Sequence, residues 1–235
     1  DLDSETLQAF ERLYDSLQAL ARTVAVWHVG AQADVYDGKY HAGASSLVKR
    51  QRIHLLEKDP PHVKSNVTTM FLPAGQTRLY FFPDRILVYG VGGVGAVAYE
   101  GLSVAFEESR FIESNGVPHD ARVVDRTWRY VNKNGTPDRR FANNSELPIC
   151  LYEDLHLRSS SGLNELLQVS RLGVGQNLQA SSRQMTDVIS RARMTEPVYA
   201  EPVEETASTT DLSIRVCETL LYVLCCVMAA DGRAS

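Results

Sequence analysis

An apolar stretch at residues 77–108 constrains the fold of this chain more than any other part of its sequence. Within each of its segments, apolar side chains recur at every second residue, which is the period of a half-buried strand. Pro83 and Asp84 interrupt this alternation in the manner of a turn. The alternating residues are Leu79, Phe81, Ile86, Val88, Val97, Tyr99, Leu102, Val104 and Phe106. We therefore predict a ribbon of strands that forms the sheet on which the other segments pack.

The N-terminal segment has a different period. Its apolar residues recur at three and four positions, which predicts an amphipathic helix over residues 4–27. Ser4 is a suitable N-cap, because its side-chain oxygen can accept a hydrogen bond from the first turn. A helix with one apolar face must be covered, so we expect it to lie on the sheet or on a second copy of the chain.

Helical spacing returns towards the C-terminus. A short helix capped by Ser161 is predicted over residues 162–170, and a polar helix over residues 176–193. The last helix is predicted over residues 212–230 and is apolar on nearly all sides, so it must be buried in something.

Shorter alternating segments flank the central ribbon and predict further strands. These candidates are residues 47–48, 53–56, 67–72, 123–131 and 147–157. The fold class that follows is α+β: a mainly antiparallel β-barrel or strongly bent sheet over residues 45–158, with an N-terminal amphipathic helix and C-terminal helices.

Changes in composition divide the chain into four parts. These are the amphipathic helix at 1–29, a β domain at 30–171, a polar helix and linker at 172–210, and an apolar helix at 211–235. The linker is predicted from its content of Ser, Thr, Glu and Pro. Because the chain lacks an initiator Met and stops just after the apolar helix, we expect it to be a fragment of a longer protein.

Charge and cysteine usage narrow the classes of partner and compartment. The net charge of −5 argues against extensive nucleic-acid binding. The longest apolar runs are shorter than the roughly 20 residues that a membrane-spanning helix needs. The four cysteines, Cys150, Cys217, Cys225 and Cys226, form no C-x-x-C pair, which predicts free thiols in a reducing cytoplasm.

Residues 90–95, GVGGVG, match the letters of the dinucleotide-binding motif G-x-G-x-x-G. That motif binds pyrophosphate only when a helix follows directly. Here the next residues alternate as a strand does, so we predict a flexible hairpin turn in preference to a phosphate loop.

Catalytic and metal-binding patterns are weak. No two of the six histidines lie three or four residues apart, and G-x-S-x-G does not occur. Cys150 lies in an apolar strand pattern, where a thiol is inert. We therefore predict that the chain is not an enzyme and uses no cofactor. An enzyme whose catalytic residues are scattered along the chain is the rival hypothesis.

The most distinctive polar segment is residues 127–141, TWRYVNKNGTPDRRF. Cations alternate with aromatic residues there, which suits a phosphate-bearing ligand. The candidate ligand-binding residues are Trp128, Arg129, Lys133, Arg139 and Arg140. The alternative is a structural loop in which Asp138 neutralises an arginine while Trp128 and Tyr130 belong to the core.

Residues 77–106 resemble the PH/GRAM-like superfold. The likeness rests on LYFFPDRILVY at 79–89, a strand pair with a turn, an arginine and an apolar residue, and on VAYEGL at 97–102 beyond the Gly-rich loop. It extends over about residues 45–171. The resemblance implies a seven-stranded barrel whose open end is closed by a helix at 163–170, and a domain that binds peptides, protein partners or anionic headgroups.

Residues 220–235, LLYVLCCVMAADGRAS, resemble the opening of a TerB-like helical domain of the tellurite-resistance families. Such domains begin with an apolar helix that ends in Ala-Asp-Gly. The resemblance implies that Asp231 starts an acidic, metal-associated site, although the other acidic helices are absent. It also implies a bacterial, cytoplasmic stress or defence context.

Together these features predict a non-enzymatic interaction module that binds a protein or peptide partner. The alternative is a module that binds nucleic acid or a phosphorylated headgroup through residues 129–140. A homodimer is a further way to cover the apolar helices.

Overall fold

The computed structural model describes residues 4–30, 50–132 and 134–195. It confirms an α+β fold with mainly antiparallel strands. The elements are α1 Ser4–Ala21, β1 Val26–Val29, β2 Arg50–Ile53, β3 Leu56–Glu57, β4 Met70–Ala74, β5 Thr77–Phe81, β6 Ile86–Gly90, β7 Gly93–Val97, a 3₁₀ turn Tyr99–Gly101, β8 Leu102–Ile112, β9 Arg122–Trp128, β10 Glu146–Ser159, β11 Asn164–Val169 and α2 Val174–Thr195.

The strands form two antiparallel sheets. Sheet A has the order β2-β1-β11-β10-β8, and β9 also pairs with β10; sheet B has the order β3-β4-β5-β6-β7. The described strands therefore do not make the closed barrel that was one form of the prediction. The chain leaves sheet B at the 3₁₀ turn Tyr99–Gly101 and enters sheet A as β8, which pairs with β10.

The main hydrophobic core lies between the inner faces of the two sheets and both helices, and two smaller apolar clusters lie apart from it. Helix α1 contributes Phe10, Leu13, Leu17 and Leu20, which follow its predicted apolar face and are all buried. Helix α2 contributes residues such as Met185 to the same core. The apolar face of α1 is thus covered within the chain by α2 and sheet B.

Helix α1 ends six residues earlier than predicted, at Ala21. Residues 26–29 form strand β1, which lies between β2 and β11 in sheet A. The predicted continuation of the helix to residue 27 is therefore wrong, because Val26–Val29 pair as a strand of sheet A. Val26 and Val29 fit either a helical or a strand pattern in so short a segment, and pairing on both sides decides for the strand.

The predicted helix over residues 162–170 is also wrong. Residues 164–169 form strand β11, which pairs with β10 and β1 and buries Leu167 and Val169. The helix that covers the core at this point is α2, where a polar helix was predicted. Its start is held by the buried Glu153, whose carboxylate accepts hydrogen bonds from the backbone N–H of Gly173 at 2.5 Å and of Gly175 at 2.7 Å.

The remaining strand predictions are confirmed with shifted ends: 67–72 appears as β4, 123–131 as β9 and 147–157 as β10. The candidate at 53–56 is divided between β2 and β3. The candidate strand 47–48, the linker at 196–210 and the apolar helix at 212–230 lie outside the described residues. No helix in the described ranges is long and apolar enough to cross a membrane.

Candidate functional site

The Gly-rich segment is a hairpin turn, as predicted. Strands β6 and β7 are joined by the two residues Val91 and Gly92, with Gly90 opposite Gly93 in the register. Residues 93–97 form a strand and not a helix, so the phosphate-loop alternative is wrong.

The glycines of this hairpin leave a cleft between the two sheets. Gly93 and Gly95 share a face of β7 with the buried Val97, because alternate residues of a strand point the same way. A β-carbon added at Gly90, Gly93 or Gly95 would meet no atom within 4 Å. Positions that would carry inward-facing side chains in an ordinary sheet are therefore empty of side-chain atoms.

The opposite wall of the cleft is the turn between β10 and β11. Ser161, Gly162 and Leu163 line it together with Glu165, and the open cleft has a volume of about 470 Å³. The turn is held by hydrogen bonds from Ser159, whose backbone N–H donates to the Leu163 carbonyl at 2.9 Å. We call this space the glycine-lined cleft.

Strand β7 forms the rim of the cleft and is an edge strand among the described residues, since it pairs only with β6. Its backbone is accessible because three of its first four residues have small or absent side chains. Val91 and Val94 are 84% and 63% exposed, which is unusual for valine in a β-hairpin.

Glu165 is the one ionisable side chain among the described residues that line the glycine-lined cleft. Its Oε2 lies 2.8 Å from His28 Nε2, and the two side chains are 14% and 13% exposed. The turn between β4 and β5 packs on the same imidazole. A β-carbon at Gly75, where φ is +61°, would lie 2.8 Å from His28 Cε1. His28 thus links Glu165, on the inner face of sheet A, to the β4–β5 turn of sheet B.

A second groove, of about 700 Å³, lies over the outer face of sheet A. The guanidinium of Arg50 lies 3.8 Å from the centre of the Trp27 ring and 3.9 Å from that of Phe111. Arg50 Nη2 donates to both Glu113 carboxylate oxygens, at 2.8 and 2.6 Å, and Tyr152 Oη donates to Glu113 Oε2 at 2.7 Å. Burial and this carboxylate raise the pKa of Tyr152. We call these five residues the Arg50 cluster.

The Arg50 cluster is closed on itself. Arg50 Nη1 donates to Gln168 Oε1 at 2.8 Å, so both ends of the guanidinium are occupied by groups of the same chain. Sequence reasoning did not find this cluster. Its members come from β1, β2, β8, β10 and the residue after β8, so no local sequence motif predicts that Arg50 pairs with Glu113.

The predicted anion-binding residues do not have the arrangement that the anion-site hypothesis requires. Arg140 donates to Asp138 through Nε at 3.0 Å and through Nη2 at 2.6 Å, and these bonds hold the pKa of Asp138 below its usual range. Arg129 and Arg139 are exposed. Lys133 lies outside the described residues. The pairing of Arg140 is the arrangement expected of the structural-loop alternative.

The aromatic residues of this loop do not join the core. Trp128 is half-buried, and Tyr130 is exposed and stacks on Phe141 with the ring centres 4.0 Å apart. The prediction that both are core residues is therefore wrong. The strand ends at Trp128, so Tyr130 lies in the loop that the Asn144 side chain ties to its backbone.

Metal and thiol chemistry have little basis in the described part of the chain. It contains no group of three or more His, Cys, Asp or Glu side chains that could hold a metal ion, and the predicted metal residue Asp231 lies outside it. Cys150 is fully buried beneath the Arg50 cluster, and burial raises the pKa of its thiol, as expected of an inert core cysteine.

Comparison with protein-family models, with curated proteins and with solved structures finds no match for this chain. The glycine-lined cleft is therefore selected as the candidate site on its geometry alone.

Proposed function

We propose that this chain is a non-enzymatic interaction module that binds an extended segment of a partner protein along β7, with side chains of that segment entering the glycine-lined cleft. The observation that carries the proposal is the coincidence of an edge strand with a cleft on its inner face, where Gly93 and Gly95 provide no side chain.

The physical basis is strand addition. An edge strand has one row of backbone N–H and C=O groups without a partner strand, and an extended peptide can pair with that row. Glycines allow the peptide backbone to approach closely. Since β7 has five residues, it offers a pairing length of about 17 Å at 3.4 Å per residue.

A bound strand would place alternate side chains on the two faces of sheet B. Those on the inner face would meet Val88, Val97 and Leu163, which line the glycine-lined cleft. Those on the outer face would lie beside the exposed Val94. Burial of these apolar surfaces would add hydrophobic stabilisation to the backbone hydrogen bonds.

The cellular setting of the protein is proposed from its sequence. We infer a bacterial, cytoplasmic stress- or defence-related protein from the TerB-like residues 220–235 and from cysteines without C-x-x-C spacing. A PH-like ancestry of the β domain would be consistent with peptide binding, by analogy of fold only.

The test is selection of peptides from a random nine-residue library, followed by fluorescence anisotropy with the selected sequences. Gly95→Val fills the cleft at a position where a β-carbon has no neighbour within 4 Å, so it should leave the protein folded. We expect this variant to weaken binding at least tenfold. Ala105→Val is the matched control, because Ala105 is exposed on β8 in sheet A. Failure to select any peptide, or equal binding by Gly95→Val and wild type, would contradict the proposal.

A further inference from the structure

We propose that the glycine-lined cleft selects partner segments with a lysine or arginine at an inward-facing position, and that Glu165 binds the cation. This inference rests on the proposed function and deepens it by assigning the chemistry of the partner. Its basis is the charge and surroundings of Glu165, which the binding of an extended backbone does not by itself explain.

Glu165 is held in place to receive a cation. His28 engages Oε2 through one hydrogen bond at 2.8 Å, and Glu165 is a lining residue of the cleft, so the carboxylate keeps capacity to accept a hydrogen bond from a ligand there. His28 itself is fixed by β1 and by the turn at Gly75. A carboxylate oriented in advance loses little freedom when it binds, and its low exposure strengthens a charge-assisted hydrogen bond.

The nearest cations of the neighbouring strands point away from Glu165. Arg158 donates to Asn164 Oδ1 at 3.3 Å, and these two residues face each other on the outer side of sheet A, while Glu165 and its register partner Leu157 face inward. Arg78 packs against the ring of Tyr89 on the outer face of sheet B. Within the described residues, the recorded partner of the Glu165 carboxylate is therefore the imidazole of His28, through the hydrogen bond at 2.8 Å.

The rest of the lining suits the stem of a basic side chain. Lysine and arginine bury their methylene groups against apolar surface and direct the charged end to a polar group. Val88, Val97 and Leu163 provide the apolar surface, and the glycines provide room for the stem. An acidic side chain at the same position would meet Glu165 as a like charge.

The experiment uses the tightest peptide from the selection, synthesised with lysine, norleucine or glutamate at its inward-facing position. Norleucine keeps the stem and removes the charge. We expect wild type to bind the lysine peptide about tenfold more tightly than the norleucine peptide, and the glutamate peptide most weakly. Titrations are made at about pH 8, where ordinary histidines carry little positive charge.

Two variants locate the effect. Glu165→Gln keeps an acceptor for His28 and should bind the lysine and norleucine peptides equally. Glu107→Gln removes a carboxylate from the exposed outer face of sheet A, beside His156, and should keep the tenfold preference. The melting temperature of each variant establishes that it is folded. The comparison of the three peptides on wild type tests the preference for lysine even if a variant fails to fold.

The outcomes separate the two proposals. If no peptide binds wild type, the proposed function fails and this inference with it. Peptide binding without a preference for lysine, or a preference that survives Glu165→Gln, overturns the inference and leaves the proposed function standing.

Discussion

The groove over the Arg50 cluster, of about 700 Å³, and the glycine-lined cleft, of about 470 Å³, differ in their chemistry. In the cluster, a guanidinium is enclosed by two aromatic rings, a carboxylate and an amide of the same chain. In the cleft, inward-facing side chains are missing on one wall and a single carboxylate lies at the base. The charged groups of the Arg50 cluster are therefore paired within the chain. The cleft offers apolar surface and the Glu165 carboxylate, which are the groups that the proposed partner segment would contact.

This difference shows why the number of charged residues in a cavity is a poor guide to ligand binding. The groove over the Arg50 cluster has more charged groups than the cleft, yet Arg50 and Glu113 compensate each other and are 10% and 2% exposed. A ligand would have to displace these contacts. Apart from Glu165, the cleft is lined by glycines, apolar side chains and the hydroxyl groups of Thr77 and Ser161, so a ligand there has no ion pair of two charged side chains like that of Arg50 and Glu113 to displace.

The largest expected effect is that of Arg50→Ala. The substitution leaves Glu113 buried without its cation, and removing one member of a buried ion pair typically costs about 3–5 kcal/mol. Urea denaturation at pH 7 measures the loss. The double variant Arg50→Met with Glu113→Leu should be more stable than Arg50→Ala, because it leaves no charge unpaired. A loss below about 1 kcal/mol for Arg50→Ala, the range of ordinary surface changes, would contradict the view that the cluster is structural.

Two glycines allow the same substitution to be compared in packed and open surroundings. A β-carbon at Gly175 would lie 2.5 Å from Leu155 Cδ2 and 2.7 Å from Phe106 Cβ, so Gly175→Ala must move α2 away from sheet A. We expect a loss of about 1–3 kcal/mol, the usual cost of overpacking. Gly95→Ala should stay within about 1 kcal/mol of wild type, because nothing opposes the added methyl group. Equal losses by thermal denaturation would remove the distinction between the two regions.

A smaller, pH-dependent effect is expected at Asp154, which adjoins the Arg50 cluster through Gln168. Burial raises the pKa of this carboxyl and Glu107 adds to the shift, while hydrogen bonds from Gln168 and Ser109 and the nearby His156 lower it. A raised folded-state pKa means that the contribution of Asp154 to stability is full below its unfolded pKa and is lost as the pH rises through the folded pKa.

Asp154→Asn tests this assignment. Asparagine keeps an acceptor for Gln168 and carries no charge, so stability relative to wild type should improve as the pH rises above the ordinary range of aspartate. Denaturation curves at several pH values between 4 and 7 measure the difference. Parallel pH profiles for the two proteins would show that Asp154 is not buried as described.

The smallest effect on stability is expected in the loop at residues 129–140. Arg140→Glu breaks the pair with Asp138 and should lower the melting temperature slightly, whereas Arg139→Glu should not. Because Arg140 depresses the pKa of Asp138, the stabilisation is present above the ordinary pKa of aspartate and is lost as the pH falls towards the depressed value. Asp138→Asn should therefore flatten the acid side of the stability profile.

The same loop offers the test of the anion-binding alternative. We expect no saturable binding of a short oligonucleotide or of an inositol phosphate by wild type in fluorescence anisotropy at two salt concentrations. Saturable binding that weakens steeply with salt, and that disappears when Arg139 and Arg140 are both changed to glutamate, would favour anion binding over the structural loop.

Several elements could be predicted because their signal is local. Alternation of apolar residues at 77–106 predicts β5 to β8, and the Gly-rich turn joins β6 and β7 as a hairpin of neighbouring strands. Helix α1 follows from an apolar stripe that is repeated over many residues, which averages out single exceptions. The helix at α2 was predicted as a polar one, and its contribution to the core was not foreseen. That Asp138 neutralises an arginine of its own turn could be predicted because Arg139 and Arg140 follow it directly in the sequence, and the structure shows that the arginine is Arg140.

The two strands that were predicted as helices share a physical cause. Residues 26–29 and 164–169 are short, and their apolar spacing fits a helix as well as a strand. Each becomes a strand because it pairs on both sides: β1 with β2 and β11, and β11 with the preceding β10 and with β1, which is distant in the sequence. Local preference amounts to a few tenths of a kcal/mol per residue, so two flanking strands readily override it.

The amino-acid sequence by itself therefore determined the α+β class, the period of the central strands and the absence of side chains at Gly90, Gly93 and Gly95. Only the tertiary structure decided that these glycines and the Glu165 carboxylate line the same cleft. It also decided that Arg50 forms an ion pair with Glu113, at a sequence separation of 63 residues. Side-chain types and local periods are properties of neighbouring residues. Cavities and buried charge pairs form where the two sheets bring segments together that are remote in the sequence. A local sequence pattern therefore does not predict them.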